Sequence, residues 1–137
     1  MIDYTTSLRA HLARYKEDQL GIAEPGIYVH KDTPRSYAHI LPKEHQWFNI
    51  LEPFREDIQR YVESPPTIKL HKDFSHLNSS QAFALNLFLP YFMHGGSANL
   101  VRAMGLEGDV EEWTPELIVH AHENTNVDMA WWSQADN

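Results

Sequence analysis

The stretch that most limits what this chain can fold into is Ala82-Phe83-Ala84-Leu85-Asn86-Leu87-Phe88-Leu89, an apolar run with one polar side chain. Its residues favour a helix, and a helix apolar on every side belongs inside a fold rather than on its surface. The start is signalled too: Asn78 caps the helix, and Gln81, three residues on, reaches back to complete a capping box. Gly95-Gly96 ends it. Pro90 has no backbone donor, so the carbonyl of Asn86 loses its usual helical partner, and the Asn86 amide must find partners or cost roughly 1–3 kcal/mol. Two readings of Asn86 stay open: a structural amide tied to a neighbouring loop, or an amide that positions a strand carrying catalytic carboxylates.

The remaining segments are read by period and punctuation. Leu8, Leu12, Tyr15 and Leu20 fall near helical spacing, with Gly21 as the stop. Residues 26–30 and 37–41 have the β-branched and aromatic character of two short strands, separated by Thr33-Pro34. Glu44 to Tyr61 reads as helix broken near Pro53, and Ser64-Pro65-Pro66 ends it. Residues 67–71 alternate as a short strand would, and Ser97 to Gly105 reads as a short helix. Two strand-like runs, 117–123 and 127–132, flank Asn124-Thr125-Asn126 and suggest an antiparallel hairpin. The expectation is one domain over residues 1–137, of mixed α/β (α+β) class, with helices packed on a small mixed sheet.

Composition narrows the function. The 137 residues carry 11 Lys plus Arg against 19 Asp plus Glu, a net charge of −8, so any contact with nucleic acid must be local. The absence of cysteine excludes a thiol nucleophile and thiolate zinc sites, and fits a reducing compartment. No segment approaches the roughly 18 apolar residues of a membrane span, and a cytoplasmic setting is expected.

Candidate chemistry sits in three places. Ser79, Ser80 and Gln81 lie where a helix presents free N–H groups, just after Lys69, His71, Lys72 and His76; a phosphate could bind there, and so could nothing but an ordinary cap beside a solvated basic loop. His120 and His122, two apart on a strand, share a face and could reach one zinc or iron ion with a third ligand from elsewhere; exposed strand histidines are the plainer alternative. Glu123 and Asp128 come together at one end of the hairpin, a pair of hard oxygen ligands suited to Mg²⁺. An exposed acidic hairpin is the alternative, weakened by the apolar neighbours Val127 and Met129 of Asp128.

Four stretches resemble one known family in the same order: Tyr15-Lys16-Glu17-Asp18-Gln19-Leu20, His39-Ile40-Leu41-Pro42, His76-Leu77-Asn78-Ser79-Ser80-Gln81-Ala82 with Asn86-Leu87-Phe88, and Glu123-Asn124-Thr125-Asn126-Val127-Asp128. The family is the restriction-endonuclease-like group of the PD-(D/E)XK nuclease superfamily, bacterial proteins for the most part. The resemblance implies a core with the active site on two adjacent strands, using Mg²⁺ or Mn²⁺ to hydrolyse DNA phosphodiesters. It assigns Asp128 as the strand aspartate and Glu123 as an additional acidic ligand, with Gln81 and Asn86 on the supporting helix.

The sequence departs from that pattern after Asp128, where Met129-Ala130-Trp131-Trp132-Ser133-Gln134-Ala135-Asp136-Asn137 contains no Glu-x-Lys. The expectation is an incomplete nuclease core, either a fragment, a shortened form, or a chain completed by a partner, and inactive alone. Lys69 or Lys72 could take the place of the lysine. DNA is the implied partner of the complete form, and the open hairpin edge with Trp131 and Trp132 implies self-association. Two other classes stay in view: a non-enzymatic binding or regulatory protein on the same scaffold, and a metalloenzyme centred on His120 and His122.

Overall fold

The computed structural model describes residues 3–108, 110–120 and 125–133. In chain order these form α1 (Tyr4–Asp18), β1 (Gly26–His30), β2 (Thr33–Tyr37), two 3₁₀ turns (Lys43–Asn49 and Glu52–Phe54), α2 (Arg55–Glu63), α3 (Ser80–Met93), α4 (Ser97–Ala103), β3 (Val110–His120) and β4 (Thr125–Ser133). The mixed α+β class is therefore as expected. The strands form two antiparallel pairs, β1–β2 and β3–β4. The chain gathers into two compact units, Met1–Arg55 with Leu70–Ala82, and Glu56–Lys69 with Phe83–Asn137. No described helix is long and apolar enough to cross a membrane.

The first unit is organised round a buried ammonium. Gly21, at φ +68°, stops α1 in the left-handed region, as glycine can without strain. Lys16, only 2% exposed, donates from Nζ to Glu24 O at 2.5 Å and Ile40 O at 3.2 Å. It thus fastens α1 to the loop before β1 and to the segment after β2. Ile40 O also accepts from Gly26 N–H at 2.8 Å. The backbones approach so closely there that a Cβ on Gly26 would overlap Leu41 O and Ile40 Cγ2. Ile22, Ile40, Leu41, Ile50 and Phe74 fill the core beneath. Asn49 Nδ2 donates to Phe74 O (2.7 Å) and His76 O (2.6 Å), holding the loop that leads into α3.

β1 and β2 depart from expectation in register. Lys31 and Asp32, at φ +46° and +61°, make a two-residue turn of the kind whose twist matches a hairpin, so His30 pairs with Thr33 and the second strand is 33–37 rather than 37–41. Pro34 lies inside that strand, opposite Val29; a two-stranded ribbon has only edge strands, and an edge tolerates a residue without N–H. Residues 67–71 form no strand. Ile68 N–H instead donates to Val62 O, folding that segment back on the end of α2.

The second unit packs a hairpin on helices through aromatic rings. Trp113 pairs with Trp131 across β3 and β4. Trp113 stacks on Tyr61 of α2 at 5.4 Å and meets Phe92 of α3 at 5.3 Å, while Trp131 touches Phe88 at 5.9 Å and Phe92 at 6.0 Å. The expected hairpin is present, and its first strand starts earlier, at Val110. Trp131 is thus covered from within the unit, whereas Trp132 on the opposite face is 46% exposed.

Helix α3 corrects two expectations. Its cap is Ser79, whose Oγ accepts from Ala82 N–H at 3.3 Å, one residue later than Asn78. The helix is also not buried all round: Gln81, Ala82, Leu85, Leu89 and Phe92 form the covered side, while Phe83, Leu87 and Tyr91, spaced by four, are 67%, 39% and 43% exposed. Uniform apolarity gives a helix no inside and outside; only the number of neighbours decides which side is covered. Asn86 is half-buried and engaged.

Lys16→Met, which keeps the volume and removes the donor, should lower stability by about 1–3 kcal/mol, the cost of carbonyls left without a partner. An unchanged or raised denaturant midpoint would show that relief from burying the charge outweighs those bonds. Along α3, Phe83→Ser should shift stability by no more than about 0.5 kcal/mol, against a loss of about 2–5 kcal/mol for Leu89→Ala. Equal losses would mean the Phe83 side is covered after all.

Candidate functional site

Asp128 sits on β4, half-buried, between the ladder pairs Pro115↔Met129 and Leu117↔Val127, so Glu116 falls opposite it. Alternation puts Pro115, Met129, Trp113 and Trp131 on the covered face and Glu116 with Asp128 on the other. By register, Glu116 is the described carboxylate residue opposite Asp128. Glu116 has φ +55°, a conformation that costs a non-glycine residue about 1–2 kcal/mol. Glu123 and His122 lie outside the described residues, as does the side chain of His120. Among the described residues no group of three His, Asp or Glu is placed to hold a metal ion.

The candidates around the start of α3 have separate employments. Gln81 is buried, and its Oε1 accepts from His71 N–H at 2.8 Å, which anchors the preceding loop. Ser79 caps the helix and Ser80 is exposed. Lys72 places its ammonium 5.7 Å from the ring centre of Tyr28. Lys69 and Asn86 belong to the second unit with Asp128; Ser79, Ser80, Gln81 and Lys72 belong to the first.

The first unit also assembles a cluster that spacing alone did not disclose. An antiparallel bridge joins Ile40 to His76, and it carries His39 and His76 side by side with ring centres 6.4 Å apart. Tyr37 meets His39 edge-on at 5.7 Å, and Tyr28 meets His76 edge-on at 5.1 Å. Within the tight turn that His76 N–H closes on Asp73 O, the Asp73 side chain lies 3.9 Å from His76 Nε2. That Asp73 oxygen, Oδ1, is buried and has no hydrogen-bond partner. The sequence signals were thin: a His-Ile-Leu-Pro beside a proline, and an Asp-x-x-His pair at turn spacing, with nothing to show that they meet.

Electrostatics set the protonation of this cluster. Burial pushes His39 below the ordinary histidine range, and Arg9, His76 and Lys16 push it further. Burial likewise lowers His76, with Asp73 opposing and Arg9 and Lys72 adding to the fall. Burial also lowers Lys16, against the raising influence of Glu24 and Glu17. Both imidazoles titrate below the unfolded value of about 6.5, so the unfolded chain binds more protons in that window. Stability present above pH 6.5 is therefore lost as pH falls through it toward the folded values. The thermal midpoint at pH 5.5 should lie below that at pH 7.5 at equal ionic strength, and His76→Gln should narrow the gap. Equal midpoints for the parent chain would show both rings to be solvated.

A model of the family described as Restriction Endonuclease associating with ARP matches residues 9–136. No curated protein and no solved structure matches. The matched span runs from Arg9 of α1 through the His39–His76 cluster to both strands of the β3–β4 hairpin. A match of that length, over a chain whose residues had already shown the same likeness, places it: the protein belongs to the restriction-endonuclease-like family of restriction endonucleases associating with ARP.

Proposed function

We propose that this chain is the DNA-directed component of a restriction-endonuclease-type nuclease of the PD-(D/E)XK kind, working in the bacterial cytoplasm. The family match over residues 9–136 carries this reading. Asp128 and Glu116 are its acidic centre, with Glu123 as a further carboxylate. Mg²⁺ or Mn²⁺ is the cofactor such chemistry calls for, because a divalent ion bound by carboxylates can polarise a phosphoryl oxygen and lower the pKa of water. Two apposed carboxylates fit part of such a site and not the whole, since the described residues bring no third His, Asp or Glu to them. No step is therefore assigned to the metal. What the chain's own residues supply is Asp128, opposite Glu116 by register, on a strand pair whose other face is locked by Trp113, Trp131 and Phe92.

A second reading, a binding or regulatory chain, is favoured by one observation: the stripe of Phe83, Leu87 and Tyr91 on α3, apolar and uncovered. Helix faces of this spacing are the usual anchors for another protein, and the family's description names an association with ARP. The two readings combine if the associated protein supplies the remaining ligands.

The purified chain, incubated with supercoiled plasmid in Mg²⁺ or Mn²⁺, should leave it uncut, because the several held oxygens that phosphodiester cleavage requires are only partly supplied. Cleavage abolished by Asp128→Ala would show that the site is complete in this chain and remove the need for a partner. Cleavage unaffected by Asp128→Ala would overturn the assignment of Asp128.

A further inference from the structure

The His39–His76 cluster is chemically out of keeping with the chain that carries it. The protein has a net charge of −8, yet here Arg9 and Lys16 of α1, Lys72 of the loop before α3 and two imidazoles are gathered in one unit. Glu24 and Glu17 act on Lys16, and Asp73 is the carboxylate that acts on His76. Neither Arg9 nor Lys72 reaches a carboxylate at ion-pair distance among the described residues, and the Lys16 ammonium is turned onto backbone carbonyls. Both rings are largely withdrawn from water, His39 to 7% exposure. Tyr28 and Tyr37 wall them in edge-on, the first with Lys72 over its ring.

Such a group of unspent donors and positive charge is suited to an anion with several oxygens. Neutral imidazoles held beside cations are costly to charge, and a doubly or singly charged oxyanion reverses that cost by supplying the missing negative partner. Asp73 fixes the chemistry of its neighbour: its Oδ1 stands where a modest ring shift would let His76 Nε2–H donate to it, leaving Nδ1 for a ligand oxygen. We propose that the His39–His76 cluster, with Lys72 beside it over Tyr28, is a phosphate-binding site that receives a phosphate of a polynucleotide backbone. This deepens the nuclease reading and rests on it for the polynucleotide; the phosphate chemistry rests on the cluster alone.

The sign of the pH dependence follows. The groups facing the rings are Arg9 and Lys16 from α1, Lys72 and Asp73 from the loop, Tyr28 from β1 and Tyr37 from β2. A phosphodiester keeps its single negative charge from pH 5.5 to 7.5 while protonation of the two imidazoles adds positive charge beside it, so affinity for a polynucleotide phosphate rises as pH falls across that range.

Histidine ring signals of the full chain, followed by NMR from pH 5.5 to 7.5, test the site without any need for cleavage. Inorganic phosphate and a short DNA duplex are added in separate arms. The expected result is that both ligands shift the His39 and His76 signals and raise the pH at which those rings titrate, leaving the exposed His94 unmoved. Lys72→Ala, an exposed change that should fold normally, should weaken the response roughly five-fold, the size of one exposed ion pair. A response to phosphate but not to duplex assigns the site to free phosphate or a nucleotide and overturns the polynucleotide source. Rings that respond to neither ligand overturn the site itself, whatever the plasmid assay shows; a nuclease inactive in that assay whose rings still respond leaves the site standing.

Discussion

One ammonium group sets the first unit in order. Lys16 leaves α1, passes below the surface and ends on the carbonyls of Glu24 and Ile40. Such a burial is costly for a charge, and the cost is met only because both acceptors are fixed backbone oxygens and two glutamates stand near. Glu24 precedes β1, and Ile40 follows β2 and bridges to His76. The helix, the hairpin ribbon and the loop before α3 thus share a single point of attachment. A two-stranded ribbon is marginal by itself; with Ile27 and Val29 facing outward, β1 and β2 owe their place to Gly26, Ile40 and this lysine rather than to a core of their own.

That attachment explains why the histidines meet. His39 is the residue before Ile40, and His76 is its bridge partner, so whatever fixes Ile40 fixes both rings. Lys16 therefore acts on the cluster twice, by holding its backbone and by adding positive charge that disfavours protonated His39. Asn49 does the same from the other side through Phe74 O and His76 O.

Much of this was legible in the residues, and the limits have physical causes. Helix ends at Gly21 and Gly95 could be read because a left-handed stop needs glycine, and the terminal hairpin because β-branched and aromatic runs flank polar turn residues. The β2 register was lost because Lys31-Asp32 does not look like a turn; Thr33-Pro34 does. Apolar composition carries no phase, so it does not disclose that Phe83, Leu87 and Tyr91 form the exposed line of α3. At the hairpin, the residue that register sets opposite Asp128 is Glu116, twelve positions away in sequence, which nearness in sequence does not disclose. The histidine cluster was illegible for the same reason: His39 and His76 are brought together by a single bridge, and a single bridge has no period.

Net charge was the least informative of the quantities read from the sequence. A value of −8 argues against a chain that coats nucleic acid, but charges act over a Debye length of about 8 Å at physiological salt. His76 is governed first by its burial and then by Asp73, Arg9 and Lys72, not by the total. The cations and imidazoles belong to the first unit and the Glu116–Asp128 pair to the second. The total of −8 therefore describes the surroundings of neither set.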